Sequence, residues 1–201
     1  MRENGGEGQD ALRSKWDERY AQSDREPLPA PVLAENLHLL PSAGRALDLA
    51  CGLGANALLL AQRGLDTSAW DLSPVAIEHL MEEAKARGLG ISAEVRDAQA
   101  RPPEPQSFDV IVVSHFLDRG LMPAIAGALR PGALLFYQTF SREAVSDWGP
   151  SNPCFRLETN ELLRLLPQLV VRVYREEGRV GDLSRGARDI AMLVAQRAEM
   201  P

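Results

Sequence analysis

Apolar positions along this chain keep switching between two spacings. Residues 46–50 (Ala46, Leu47, Leu49, Ala50) form a short apolar run, the mark of a buried strand. The run breaks at Gly52 and Gly54. A helical pattern then starts at once with Ala57, Leu58, Leu59, Leu60 and Ala61, and stops at Gly64. Residues 67–71 predict a second strand, and Ser73-Pro74 opens a helix carrying Val75, Ile77, Leu80, Met81 and Ala84. Ile91, Ala93 and Val95 alternate as a third strand. Residues 108–114 are almost continuously apolar, as a central parallel strand should be. A helix over 121–129 and a strand over 133–139 follow. This alternation predicts a doubly wound α/β sheet.

The two ends of the chain depart from that rhythm. Residues 1–9 are polar and glycine-rich and predict a mobile start. A helix over 10–22 places Leu12, Trp16, Arg19 and Tyr20 on one face. It either docks on the domain or forms a lid over a ligand site. Pro27, Pro29 and Pro31 mark a linker, and a short helix over 32–40 carries Leu33, Leu37 and Leu40. Residues 141–157 have no period, and a loop of that length points to function or disorder. A helix over 158–166, capped by Thr159 or Asn160, precedes an antiparallel hairpin of strands over 169–176 and 188–197. The expected division is 1–31 as N-terminus, lid helix and linker, and 32–201 as one domain.

Strand, glycine turn and helix make a cradle for a nucleotide-like ligand. Gly52-Leu53-Gly54-Ala55-Asn56-Ala57 also fits the dinucleotide pattern G-x-G-x-x-G/A, so a nicotinamide-dependent oxidoreductase is one reading. Asp48 argues against it, because a carboxylate inside the strand repels a pyrophosphate and attracts an ammonium. Asp71, about 20 residues past the glycines, is placed to accept from ribose hydroxyls. Asp97 is a third acid at a strand end. Successive strand ends converge on the ligand crevice of an open parallel sheet.

Charge and cysteine usage narrow the partners. The net charge is −6, which disfavours nucleic acid and anionic membranes. Cys51 and Cys154 are far apart and in no metal-binding spacing, so no metal site is expected. The start lacks an apolar leader and no apolar run is long enough to span a bilayer, which predicts a cytoplasmic protein with reduced thiols. A monomer or homodimer acting on a small molecule is expected.

Several motifs in order resemble the class I S-adenosylmethionine-dependent methyltransferases. They are Ala46-Leu47-Asp48-Leu49-Ala50-Cys51-Gly52-Leu53-Gly54, Asp71-Leu72-Ser73-Pro74, Arg96-Asp97-Ala98, Phe108-Asp109-Val110-Ile111 and Leu129-Arg130-Pro131-Gly132. Trp16-Asp17-Glu18-Arg19-Tyr20 and Asn152-Pro153-Cys154-Phe155 are similar, more narrowly, to the bacterial tellurite-resistance methyltransferase group. The resemblance implies a seven-stranded, mostly parallel Rossmann-like sheet with an antiparallel last strand. It also implies S-adenosyl-L-methionine as cofactor, with S-adenosyl-L-homocysteine as product.

Carried over by residue, Asp48 and Gly52 would meet the methionine ammonium, and Gly54 and Asn56 would shape the loop that also contains Ala50 and Cys51. Asp71 would hold the ribose, Leu72 would lie beside the adenine, and Asp97 and Ala98 would meet the adenine edge. Ser114, His115 and Phe116 would sit near the methionine portion, with Trp16, Arg19 and Tyr20 above it. His115 is the candidate general base, or else only a wall of the pocket. Trp148, Arg156, Arg185 and Arg188 are candidates for the methyl acceptor. That hairpin reads Ser184-Arg185 where tellurite-type enzymes carry histidine-arginine, so tellurite does not follow as substrate. A nucleic-acid role is disfavoured, because Ser114-His115-Phe116-Leu117 stands where an amine-methylating Asn/Asp-Pro-Pro-Tyr/Phe motif would be. A noncatalytic cofactor-binding protein of the same fold is the remaining alternative.

Overall fold

A computed structural model describes residues 5–22 and 27–199. Its elements are α1 (Gly5–Ala21), α2 (Pro31–Ala34), β1 (Arg45–Leu49), α3 (Ala55–Gln62), β2 (Asp66–Asp71), α4 (Pro74–Ala86), β3 (Ile91–Val95), β4 (Phe108–Ser114), α5 (Met122–Ala128), β5 (Leu129–Phe140), α6 (Glu161–Leu165), β6 (Leu169–Arg175) and β7 (Ile190–Arg197). The strands form one sheet in the order β3-β2-β1-β4-β5-β7-β6. β1 pairs parallel with β2 and with β4, and β7 pairs antiparallel with β5 and with β6. The expected doubly wound sheet with an antiparallel last strand is therefore present.

The period of two assigns the core. Leu47, Leu49, Ile111, Val113, Leu135, Tyr137, Leu193 and Ala195 pack on one face with Met122, Ile125 and Leu162 of the helices α5 and α6. Their neighbours Ala46, Val110, Val112, Leu134, Phe136, Met192 and Val194 pack on the other face against Val32, Leu33 and Leu60. Strand order reverses between β1 and β4, and the crevice at their carboxyl ends is where ligands enter such sheets.

Local departures from the expected elements have physical causes. α1 begins at Gly5, earlier than residue 10; the rest of the expected mobile start, residues 1–4, lies outside the described residues, as does 23–26 of the linker. The expected helix over 32–40 divides into α2 and a 3₁₀ turn, Leu37–Leu39. Asn36 Nδ2 donates to the Val32 carbonyl at 3.0 Å and so takes an acceptor that helix growth would use. α6 is shorter than expected, and neither Thr159 nor Asn160 caps it by a side-chain bond. Asn160 is left-handed (φ 59°), and the Glu161 carboxylate accepts from Glu158 N at 2.7 Å instead. Ser73 does cap α4, its Oγ accepting from Ala76 N at 3.2 Å. Among the described residues no helix is long and apolar enough to cross a membrane.

Candidate functional site

β1 ends in a turn built on unusual backbone. Ala50 and Gly52 are left-handed (φ 56° and 52°), and Cys51 N donates to the Trp70 carbonyl at 2.9 Å. That geometry aims Gly52 N at Asp71, whose Oδ2 accepts at 2.8 Å; Oδ1 accepts from Ser73 N at 2.9 Å. Asp71 is 6% exposed. Burial raises its pKa above the ordinary carboxylate value, the backbone donors pull it back, and Asp17 adds a smaller upward push. Each oxygen still has a lone pair beyond its backbone bond. The carboxylate is thus aimed in advance and fits a vicinal diol.

Gly54 has a different task. A Cβ there would lie 2.3 Å from Leu80 Cδ1, so its small size permits α3 to pack on α4. Leu72 follows Asp71 and is half-buried. Arg96 stacks over Trp70 at 3.7 Å, and its N–H donates to the Asp71 carbonyl at 2.7 Å. Asp97 Oδ1 accepts from Gln99 N at 2.8 Å and Ala100 N at 3.3 Å, which fixes the loop after β3. Ala98 packs against the α5 side of the core.

Asp48 differs most from its expected place. It is 0% exposed, and its oxygens meet Ala57 N at 3.0 Å and Asn56 Nδ2 at 3.4 Å. Burial pushes its pKa up to about 7 against the pull of those two bonds, and the charge of Asp71 adds to the rise. The carboxylate touches the chain and not the cleft. Asn56 is the hub beneath it. Its Oδ1 accepts from Ala30 N at 2.8 Å and its Nδ2 also donates to Ser114 Oγ at 3.1 Å. One amide ties the glycine loop, β4 and the segment before α2 together.

α1 lies against α4 and over the turn. Ser73 Oγ hydrogen-bonds to Asp17. Tyr20 stands on Gly52 so closely that a Cβ there would lie 3.1 Å from its hydroxyl. Burial, then the charges of Asp71, Cys51 and Asp48, raise the Tyr20 pKa, with Arg19 opposing. Trp16 stacks on Tyr20 with centroids 5.7 Å apart, and Arg19 lies 5.3 Å over the Trp16 ring. The helix therefore covers the glycine turn, the outcome that suits a lid.

Beyond β4 the chain turns at His115, which is left-handed (φ 56°) and exposed. Its N–H donates to the Gln138 carbonyl at 2.8 Å, and its Nε2 lies 3.3 Å from Gln138 Nε2. The ring packs against Phe140 (5.0 Å) and Trp148 (5.3 Å). Although the residue as a whole is exposed, packing on these two rings takes water from part of the imidazole, and this, then the charge of Arg19, lowers its pKa from the ordinary histidine value. Next to it the Phe116 carbonyl accepts from Tyr137 Oη at 2.7 Å. His115 and Trp148 are thus in contact beside Ser114 and Phe116, and the charge of Arg19 reaches the ring from α1.

Of the other acceptor candidates, Arg156 lies beside this cluster, its guanidinium 5.6 Å over the Phe140 ring, whereas Arg185 and Arg188 lie on the β6–β7 connection. Arg156 spends its guanidinium on its own loop, donating to the carbonyls of Pro150 (2.8 Å), Ser141 (3.0 Å) and Trp148 (2.7 Å). Arg188 donates to the carbonyls of Arg185, Gly178 and Asp182 at 2.7, 2.7 and 2.9 Å and closes the β6–β7 connection. Arg185 is exposed on that same connection. Arg156 and Arg188 both hold loop carbonyls together with most of their guanidinium donors. Arg156→Ala is expected to speed amide hydrogen exchange across 141–157 while leaving the sheet protected, because three loop carbonyls lose one donor together. Arg156→Lys should not restore protection, since an ammonium cannot span three carbonyls as a planar fork does. Unchanged exchange in the loop would refute the staple.

Sequence reasoning missed Gln138, Asp17, Asp189 and the pair Arg119–Glu161. Gln138 carried a signal: it is the lone amide in an apolar strand, and a buried amide must find partners. Arg119 Nε donates to Glu161 Oε1 at 2.6 Å and Nη1 to the Cys154 carbonyl at 2.7 Å, joining the turn after β4 to α6 and the long loop. Asp189 Oδ1 accepts from Val145 N and Ser146 N, anchoring the other end of that loop.

Comparison with known proteins agrees with this geometry. The family model for a methyltransferase domain matches residues 46–132. The ubiquinone biosynthesis O-methyltransferase of Xanthomonas axonopodis pv. citri is 28% identical over 142 residues, 66% of this chain and 59% of the relative. The chain thus spans about three fifths of that relative's length. TehB from Haemophilus influenzae superimposes with a TM-score of 0.70 at 20% identity, covering 90% of this chain and 67% of that one. A protein solved in connection with the conversion of a disulfide bond into a thioacetal group during echinomycin biosynthesis superimposes with a TM-score of 0.69. It is 26% identical and covers 93% of this chain and 92% of that one. The glycine turn, the carboxylate of Asp71 and the sheet order fit S-adenosylmethionine as cofactor, and over residues 46–132 the chain is similar to S-adenosylmethionine-dependent methyltransferase domains, with the fold that TehB also has.

Proposed function

We propose that the chain transfers the methyl group of S-adenosylmethionine to a small-molecule acceptor. The carrying observation is Asp71, at the carboxyl end of β2, with each oxygen already set by one backbone N–H. Bound cofactor supplies an activated methyl on a sulfonium, and the chain's part is chiefly alignment. Asp71 holds the ribose hydroxyls, and Asp97 and Ala98 border the adenine. α1 acts as a lid over the domain that starts at residue 32, with Tyr20 closing on Gly52 from above. The acceptor enters between α1, His115 and the 141–157 loop, where Trp148, 50% exposed, offers a flat apolar wall. The net charge of −6 supports a small acceptor over nucleic acid.

S-adenosylhomocysteine at 100 times its dissociation constant is expected to raise the melting temperature by roughly 5 °C or more, and NAD to leave it unchanged. Transfer of labelled methyl across a panel of thiols, phenols and carboxylates then identifies the acceptor. A shift with NAD and none with S-adenosylhomocysteine would overturn the reading.

A further inference from the structure

Gln138 and His115 form a fixed unit whose protonation the geometry determines. Gln138 is 0% exposed on β5. Its Oε1 accepts from Val32 N at 3.1 Å. A backbone N–H can only donate, so the side-chain atom it meets is the oxygen, and the other end of the amide is the NH₂ group. That NH₂ group lies 3.3 Å from His115 Nε2. Two donors cannot share a hydrogen bond, so Nε2 must be the unprotonated acceptor. The proton of the neutral ring then sits on Nδ1, which makes no further hydrogen bond among the described residues. The Gln138 carbonyl also takes the His115 N–H at 2.8 Å, so the same residue pins both backbone and ring.

We propose that Gln138 is a positioning residue that holds His115 as the neutral Nδ1–H tautomer, so that the imidazole donates a hydrogen bond to the acceptor molecule and does not take its proton. The function of that donor rests on the methyltransferase reading; the tautomer itself does not. Protonating Nε2 would set N–H against N–H at Gln138, and Arg19, the charged group facing the ring from α1, further opposes a cation. The ring's own neighbours, Phe140 of β5 and Trp148 of the 141–157 loop, carry no charge, and Arg156 lies on the Phe140 ring with its guanidinium bonded to loop carbonyls. The expected role of His115 as general base therefore gives way to that of a donor. The acceptor class this selects bears a lone-pair atom such as a carbonyl, oxyanion or thiolate, and is nucleophilic without help from His115.

Two-bond ¹H–¹⁵N correlation spectra of the full chain read the tautomer directly. Wild type is expected to show Nδ1–H, the form that free imidazoles disfavour, and an Nε2–H spectrum would overturn the proposal. Gln138→Glu keeps the shape and still accepts from Val32 N, but presents a carboxylate to the ring. It is expected to reverse the tautomer to Nε2–H and raise the His115 pKa by roughly one unit or more, which a merely structural role would not do. An unchanged tautomer in a folded variant also overturns the proposal. If glutamate is not tolerated there, Gln138→Met removes the amide donor and is expected to shift the population toward Nε2–H. Calorimetric titration of wild type with S-adenosylhomocysteine tests the underlying reading separately: no binding alongside an Nδ1–H ring would sink the methyltransferase reading and leave the tautomer assignment standing.

Discussion

Replacing Asp71 by alanine is expected to weaken S-adenosylhomocysteine binding by about 100-fold or more. A hydrogen bond to a charged group contributes roughly 1.5–3 kcal/mol, and a ribose diol offers two, so the loss falls around 3–6 kcal/mol. Each tenfold step in affinity is about 1.4 kcal/mol, which puts the change between 10² and 10⁴. The substitution also removes the acceptor for Gly52 N and Ser73 N, now at 2.8 and 2.9 Å, so the unliganded fold must be measured beside binding. The glycine turn keeps its bonds from Cys51 N to Trp70 O and from Gly54 N to Cys51 O, and Ser73 Oγ still caps α4. A folded, unliganded variant with a modestly lowered melting temperature and calorimetric binding near the detection limit is the expected pair of results. Unchanged affinity in a folded variant would remove Asp71 from the cofactor site.

Asp71 was legible from sequence because its place depends on local rules. A strand of period two, a glycine turn and a helix cap fix where a strand ends, and an acid at that end faces the crevice. The same rules placed Gly52, Asp97 and the cap Ser73, together with the alternation of strands and helices along the chain. Asp48, Asn56, Arg156 and Gln138 obey a different logic. Each is polar and ends up inside, and its role is set by partners distant in the chain: Ala30 for Asn56, Val32 and His115 for Gln138. Nothing in their spacing names those partners. Arg156 and Arg188 show the same limit on the acceptor side. Arginine at a cleft suggests anion binding, but a planar fork satisfies loop carbonyls equally well, and here it does so. The fold follows from periodicity, whereas the acceptor wall follows from side-chain bonds that only tertiary structure assembles.

Asp48 carries the second large effect, and it concerns stability against pH. Its pKa rises from 3.8 to about 7 in the folded chain, because burial penalises the ionised form. A raised carboxylate pKa means that the folded state holds a proton the unfolded state has released. The stabilising contribution is therefore full below about pH 4, falls as pH rises between the two values, and is gone above about pH 7. A shift of about three units corresponds to roughly 4 kcal/mol, an upper bound for this site. Other groups titrate in the same range. Asp71 is raised as well, while Glu161 and Asp189 are lowered and act in the opposite direction. The difference between wild type and Asp48→Asn cancels them. Asparagine can still accept from Ala57 N through its carbonyl oxygen and has no proton to lose. Its NH₂ group faces Asn56 Nδ2, a weak contact at 3.4 Å, and Asn56 retains Ser114 and Ala30 as partners. Urea unfolding at pH values from 4 to 9 is expected to show wild-type stability falling relative to the variant by up to about 4 kcal/mol between pH 4 and 7, then running parallel to it. A constant difference across that range would mean that Asp48 is ionised throughout. It would then need a cationic partner in the fold, and its bonds to Asn56 and Ala57 supply none.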